Sequence, residues 1–86
     1  MSDIEATVRE VLEEHGRLPV SVETLKNDED LYANGLTSHA SVNVMLALED
    51  TYDIEFPDEL LVKSTFESIG ALRDALISLG ATASAD

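Results

Sequence analysis

The chain contains no cysteine, and lysine and arginine together account for only five of its 86 residues. The absence of cysteine excludes a disulfide framework, a thiolate nucleophile and a cysteine-ligated metal site. The shortage of bases leaves 18 acidic residues largely uncompensated, so the net charge is −13. A charge of this sign repels nucleic acid and anionic membrane surfaces, whereas it attracts basic protein partners.

Long apolar runs are absent as well. The longest wholly apolar run covers residues 44–48 and is far too short to span a bilayer. The first fifteen residues are acidic and amphipathic, and they lack the positive start and apolar run of a signal peptide. We therefore expect a cytoplasmic protein, and we also expect it to be a monomer.

A first helix is predicted by apolar residues at helical spacing near the start of the chain. Ser2 and Glu5 fit a capping box at its beginning, and Gly16 is a typical stop just past its end. Its apolar face consists of Ile4, Val8, Val11 and Leu12. Residues 17–37 show no sustained period, which predicts a long loop held on the core by scattered apolar side chains. A loop of this length in a small domain is typical of a functional segment.

Three further helices are predicted: one from Thr37 or Ser38 to near Tyr52, a short one at residues 58–62, and one capped by Ser68. The predicted core face of the helix that ends near Tyr52 consists of Ser41, Val44, Met45, Leu48 and Tyr52. That of the helix capped by Ser68 consists of Ile69, Leu72, Leu76 and Leu79. We expect an all-α, four-helix bundle with a long first loop and a short third helix, formed by residues 1–80 and followed by a flexible tail, residues 81–86.

The outer face of the second helix is unusual because it is nearly uncharged. His39, Asn43, Leu46 and Asp50 align on it, flanked by Val42 and Ala47. The acids instead concentrate in residues 49–59, which hold six acids and no base. Such a run is typical of solvated surface, and a docking patch is the alternative.

Catalytic and metal sites are poorly supported. Ser38 and His39 are adjacent, so on a helix they point about 100° apart and cannot act as nucleophile and base. If Gly35 took the sixth position of a calcium loop, Tyr32 and Ser41 would fill positions that require carboxylate or amide oxygens. Two histidines, His15 and His39, are too few and too far apart for a transition-metal site.

Ser38 is the remaining candidate. Serine at a helix start is ordinarily an N-cap, but Thr37 can cap equally well and would free the Ser38 hydroxyl. The preceding turn, Asn34–Gly35, would present that hydroxyl outward. A helix N-terminus favours a phosphate placed there, so a phosphate-bearing group on Ser38 is permitted, although not required.

The segment "DLYANGLTSHASVNVMLALEDTYDIEFPDELL" resembles the acyl carrier proteins, which include peptidyl and aminoacyl carriers. Residues 30–32 match the family's aspartate-leucine lead-in, and Gly35 and Ser38 match its Gly-x-Asp-Ser-Leu attachment motif. Residues 47–50 match the end of the recognition helix, and residues 54–58 match the turn that opens the third helix. The likeness extends over almost the whole chain.

This resemblance implies that Ser38 carries 4′-phosphopantetheine, transferred from coenzyme A by a separate phosphopantetheinyl transferase. The arm would end in a thiol that holds an acyl or aminoacyl group as a thioester. The chain itself would be a carrier and not an enzyme. Its contribution would be tethering, which raises the effective concentration of the bound group at a partner's active site.

Departures from the family pattern concentrate around Ser38. Thr37 replaces the usual aspartate and His39 the usual leucine, while Ala40 and Asn43 stand where fatty-acid carriers often have acids. Enzymes that recognise those acids with basic patches would bind this helix poorly. The chain is most similar to stand-alone carriers loaded by amino acid:[carrier protein] ligases, which are relatives of seryl-tRNA synthetases, and "REVLEEHGRLPVSVETL" and "TFESI" share that character.

In that subgroup the cargo is a small amino acid such as glycine or alanine. The face expected to meet the ligase and the transferase comprises Thr37, His39, Val42, Asn43, Leu46, Ala47 and Asp50. Two alternatives stay open: an acyl carrier for fatty-acid or polyketide synthesis, and an unmodified interaction module. For a sequestered acyl tail, Leu46, Leu48 and Phe56 are candidates to line a cavity, and Met45 and Tyr52 are candidates to fill it.

Overall fold

The computed structural model describes residues 3–80. Within them the chain forms four α-helices and no strand: α1 (Asp3–His15), α2 (Ser38–Tyr52), α3 (Lys63–Phe66) and α4 (Ile69–Ser78). Two 3₁₀ turns, Val22–Thr24 and Asp58–Leu60, interrupt the connections. The predicted all-α architecture with a long first loop and a short third helix is confirmed. Ser2 of the predicted capping box and the predicted tail at residues 81–86 lie outside the described residues.

The core is formed where α1 packs against both α2 and α4. The predicted apolar face of α1 is confirmed, because all four of its residues are buried. On α4 the predicted stripe is buried except for Leu79, which is half-buried. Fully buried leucines such as Leu12, Leu48 and Leu72 each contribute about 2–3 kcal/mol through the hydrophobic effect.

The long loop between α1 and α2 is held in place by a charged side chain of α1. The guanidinium of Arg9 donates hydrogen bonds to the backbone oxygens of Val22 and Leu25, both at 2.9 Å, and to Asn27 Oδ1 at 2.8 Å. The loop's apolar residues Val22, Leu25, Leu31 and Leu36 are buried, which confirms the predicted anchoring on the core. The start of α2 is therefore attached to a fixed scaffold.

The position predicted for the third helix, residues 58–62, is wrong. At Leu60 and Leu61 the backbone amides donate to carbonyls three residues back, which makes a 3₁₀ turn and not an α-helix. Val62 is extended, with φ −130° and ψ 158°, and the α-helix begins only at Lys63. Thr65 and Phe66 are buried there, so packing against the core decides where this helix forms.

Glu5 of α1 and Arg73 of α4 form an ion pair that joins the two ends of the described chain. A hydrogen bond from Arg73, which is the larger cause, and a second one from Asn27 hold the pKa of Glu5 below its ordinary value of about 4.5. Because the pKa is lower in the folded state, the ionised form stabilises the fold above the unfolded-state pKa. This contribution is lost as the pH falls through the folded-state value.

Glu5→Gln is therefore expected to lower the Tm near neutral pH and to have little effect in acid. Thermal unfolding of both proteins from about pH 7 down to about pH 3 should show the two Tm curves converging. Glu13→Gln, on the exposed side of α1, is the matched control and should track the wild type throughout. A constant offset between Glu5→Gln and the wild type at every pH would contradict this role of the Glu5 charge.

Candidate functional site

Ser38 is the first residue of α2 and its side chain is exposed. Thr37 is the N-cap: its hydroxyl accepts a hydrogen bond from the backbone amide of Ala40 at 3.0 Å. The Ser38 hydroxyl makes no hydrogen bond within residues 3–80, whereas the Ser38 carbonyl accepts one from Ser41 Oγ at 2.7 Å. The predicted cap is thus confirmed, and the neighbouring hydroxyl is free to react.

The turn before Ser38 is rigidly built. Asp30 Oδ1 accepts hydrogen bonds from the amides of Tyr32 and Ala33 at 2.9 and 3.3 Å, and the Asn34 side chain donates to the Asp30 carbonyl at 2.9 Å. Leu31 is fully buried, and its carbonyl accepts from the amide of Leu36 at 3.0 Å. Asp30 therefore organises this turn through hydrogen bonds. It does not belong to a metal site, since no cluster of His, Asp and Glu among residues 3–80 is arranged to hold a metal ion.

Gly35 occupies the tightest point of the turn. Its φ is +111°, and a Cβ at this position would lie 2.4 Å from Pro19 Cδ. A residue with a side chain would therefore be strained in its backbone and would collide with the proline ring. Two parts of the long loop, one after α1 and one before α2, meet at this point, so Gly35 fixes the turn that precedes Ser38.

A cleft of about 640 Å³ opens beside Ser38, between α2 and residues 61–66. Its lining is mostly apolar: Leu36, Val42, Met45, Leu61, Val62 and Phe66. Its polar lining consists of Tyr32, Thr37, Ser38, Ser41 and Lys63. We name this space the Ser38 cleft.

The residues expected to line a cavity for an acyl tail, Leu46, Leu48 and Phe56, do not line the Ser38 cleft. Leu46 is 53% exposed on the outer surface, and Leu48 and Phe56 are buried in the core. Met45 forms a wall of the Ser38 cleft, and Tyr52 is half-buried against the core. Sequence analysis missed Leu61, Val62 and Lys63, although two adjacent apolar residues after the Pro57 turn were a usable signal. Leu61 and Val62 are 45% and 49% exposed, so they form an open apolar rim.

The predicted partner face is divided between two surfaces. Thr37 and Val42 lie on the Ser38 cleft. Asn43, Leu46, Ala47 and Asp50 line a separate groove between α1 and α2, whose other wall includes Glu10 and Glu14. His39 is exposed and lines neither. The exposed part of α2 is therefore a ridge, with the Ser38 cleft on one flank and an acid-rimmed groove on the other.

Charge around Ser38 is low for so acidic a chain. The first turn of α2 contains no acid, and Lys63 is the only base that lines the Ser38 cleft in the described part of the chain. In the acidic run at residues 49–59, Glu49 has a structural role, because its carboxylate accepts a hydrogen bond from the Phe56 amide at 2.8 Å. The other five acids of the run are exposed. No acid therefore lies in the first turn of α2, where its charge would repel a phosphate.

No helix among residues 3–80 combines the length and the apolarity needed to cross a membrane.

Comparison with known proteins identifies relatives along most of the chain. The family model described as "Phosphopantetheine attachment site" matches residues 3–76. An aminoacyl carrier protein of Agrobacterium fabrum is 51% identical over 71 residues, which cover 83% of this chain and 86% of the relative.

Comparison with solved structures also identifies carrier proteins as relatives. One is the crystal structure of an engineered Bradyrhizobium japonicum glycine:[carrier protein] ligase complexed with a carrier protein from Agrobacterium tumefaciens and ATP. The match has a TM-score of 0.84 and 48% identity, and it covers 87% of this chain and 97% of the matched chain. The corresponding complex with AMP matches with a TM-score of 0.83 and 49% identity, over 85% of this chain and 97% of the other. The chain therefore belongs to the phosphopantetheine-attachment family and, within it, to the aminoacyl carrier proteins.

Proposed function

We propose that Ser38 is the residue to which 4′-phosphopantetheine is attached, and that a separate phosphopantetheinyl transferase makes the attachment from coenzyme A. The observation that carries this proposal is the exposed Ser38 hydroxyl, which is left without a hydrogen bond because Thr37 caps α2. Other exposed serines of the described chain, such as Ser21 and Ser64, do not begin a helix of this length.

The residues around Ser38 fit the group. The amino end of a helix stabilises a phosphate through its dipole and its unpaired amides, and no acid lies in the first turn to oppose it. The open Ser38 cleft leaves room for the arm beside the helix. When bound, the group supplies a terminal thiol on a long flexible arm, and this thiol holds an aminoacyl group as a thioester.

The chain's own contribution is mechanical. The turn at residues 30–36 fixes the position of Ser38, so the arm is presented at one defined point of a rigid helix end. A tethered group meets a partner's active site at an effective concentration of about millimolar or more. Loading and unloading are carried out by separate enzymes, and this chain holds the cargo between them.

We assign an amino acid ligase as the loading partner and a small amino acid, such as glycine or alanine, as the cargo. Support comes from the carrier protein of Agrobacterium tumefaciens, 48% identical to this chain, which has been crystallised with a glycine:[carrier protein] ligase. The neutral start of α2 is consistent with this assignment, since it lacks the acids that fatty-acid enzymes recognise. The cytoplasmic location and the monomeric state expected from the sequence stay predictions.

The assignment of Ser38 is tested by intact mass after incubation with coenzyme A and a broad-specificity transferase. The wild type and Ser64→Ala, which lacks an exposed serine of α3, should gain one phosphopantetheine each. Ser38→Ala should gain none. A gain by Ser38→Ala would place the modification elsewhere, and no gain by any protein with several transferases would favour an unmodified interaction module.

The proposed ligase contact on the ridge of α2 gives a second prediction. Leu46→Ala and His39→Ala should each lower kcat/KM for ligase loading of the modified protein, by about tenfold where the side chain anchors the interface. Both side chains are exposed, so circular dichroism should show an unchanged helical fold. Ile77→Ala is the matched control, since Ile77 on α4 is also 53% exposed. Equal effects of Leu46→Ala and Ile77→Ala would remove Leu46 from the contact.

A further inference from the structure

Lys63 stands out among the few bases of this chain. It is the first residue of α3, and its Nζ lies 5.0 Å from the centroid of the Tyr32 ring. Within residues 3–80 it forms no ion pair with an acid, in contrast to Arg73, which pairs with Glu5 and Asp74. Arg9 is committed to the long loop. Arg17 and Lys26 likewise form no ion pair with an acid within these residues, but neither of them lines the Ser38 cleft.

The location of Lys63 indicates which anion it can bind. Lys63, Tyr32 and Ser38 all line the Ser38 cleft, and Lys63 is the only base to do so within the described residues. A phosphodiester on Ser38 Oγ would carry one negative charge at that end of the cleft. An ammonium group on a flexible four-carbon stem suits a phosphate oxygen as a point charge with three donors.

Tyr32 makes this interaction easier to form. A cation held over an aromatic ring is stabilised electrostatically and samples fewer side-chain conformations than a free lysine. The backbone of Tyr32 is held in place, because its amide donates to Asp30 Oδ1 in the turn before α2. The cation is therefore held near the cleft before any phosphate is attached.

We infer that Lys63, supported by Tyr32, forms an ion pair with the phosphodiester on Ser38 and directs the arm into the Ser38 cleft. The inference rests on the proposed modification of Ser38. It makes Lys63 a positioning residue: the salt link turns the first part of the arm toward the apolar rim formed by Val42, Leu61 and Val62. Without it, the arm would leave the helix end in no preferred direction.

The test uses the phosphopantetheinylated protein, with modification first verified by intact mass. Phosphorus NMR and arm-to-protein nuclear Overhauser effects are measured for the wild type, Lys63→Met, Lys63→Arg and the control Lys26→Met. Lys26 is exposed and lies outside the cleft. Because an exposed ion pair is weak, we expect Lys63→Met to weaken the contacts between the arm and Val62 by about two- to fivefold. It should also remove the salt dependence of the phosphorus shift, and Lys63→Arg should restore both signals.

Identical phosphorus shifts and arm contacts in the wild type and Lys63→Met would overturn the inference, as would equal losses in Lys63→Met and Lys26→Met. Amide spectra of the unmodified variants verify that the fold is retained. A protein that gains no mass at Ser38 contradicts the proposed function itself, and the role of Lys63 falls with it. Modification with an undirected arm contradicts only the role of Lys63.

Discussion

Gly35→Ala is expected to lower the free energy of unfolding by about 2–4 kcal/mol, as an overpacked side chain in a strained backbone position does. Two costs add at this residue. The φ of +111° disfavours any residue with a side chain, and the new Cβ would approach Pro19 Cδ to 2.4 Å. Because Pro19 and Gly35 both belong to the long loop, relief of the overlap must move one of its two ends.

The chain offers a matched control for this prediction at Gly80. Its φ is +94°, yet a Cβ there would meet no atom within 4 Å. Gly80→Ala should therefore carry only the backbone cost, about 1 kcal/mol. Urea unfolding of the two variants measures the difference. Losses of the same size would show that the contact with Pro19 contributes nothing.

Arg9→Met is expected to release the long loop and to lower the free energy of unfolding by about 2–4 kcal/mol, because it removes charge-assisted hydrogen bonds to backbone oxygens. The affected acceptors are the carbonyls of Val22 and Leu25 and the side chain of Asn27. Methionine retains much of the aliphatic stem, so the change tests the guanidinium and not the packing. Ser38 follows directly after the loop, so release of the loop should also slow modification by the transferase.

Two measurements check the effect of Arg9→Met: urea unfolding and amide hydrogen exchange of the loop. We expect faster exchange at Leu25 and Leu31 than in the wild type, with α4 less affected. Arg17→Met is the control, since Arg17 is exposed and donates no side-chain hydrogen bond within residues 3–80. Uniform acceleration across all helices would mean that Arg9 supports the whole fold and not the loop in particular.

Local chemistry made Ser38 predictable. Thr37 and Ser38 stand side by side where the helical spacing of apolar residues begins. One hydroxyl can therefore cap the helix while the other stays free, and both roles depend only on residues nearby in the sequence. The apolar faces of α1 and α4 were predictable for the same reason, since helical spacing alone places them. The turn at Gly35 was predictable as a turn, whereas its contact with Pro19 required the loop to fold back.

Features that depend on contacts between distant segments of the chain could not be predicted from local sequence patterns. The Ser38 cleft requires Leu61, Val62 and Lys63 to lie beside α2, and the core position of Phe66 decides that placement. The predicted partner face was divided because α1 packs along one flank of α2 and makes a groove with Leu46 and Asp50. Arg9 was indistinguishable from a solvated charge, since its partners are backbone oxygens of a loop more than ten residues away.

The most direct test of the account is the mass of the protein purified from its own host. Tryptic cleavage after Lys26 and Lys63 releases a single peptide, residues 27–63, which contains Ser38 and Ser41 as its only serines. The account predicts that this peptide carries one phosphopantetheine and that fragmentation locates the group on Ser38. A peptide that stays unmodified under all growth conditions, or that carries the group on Ser41, would contradict it.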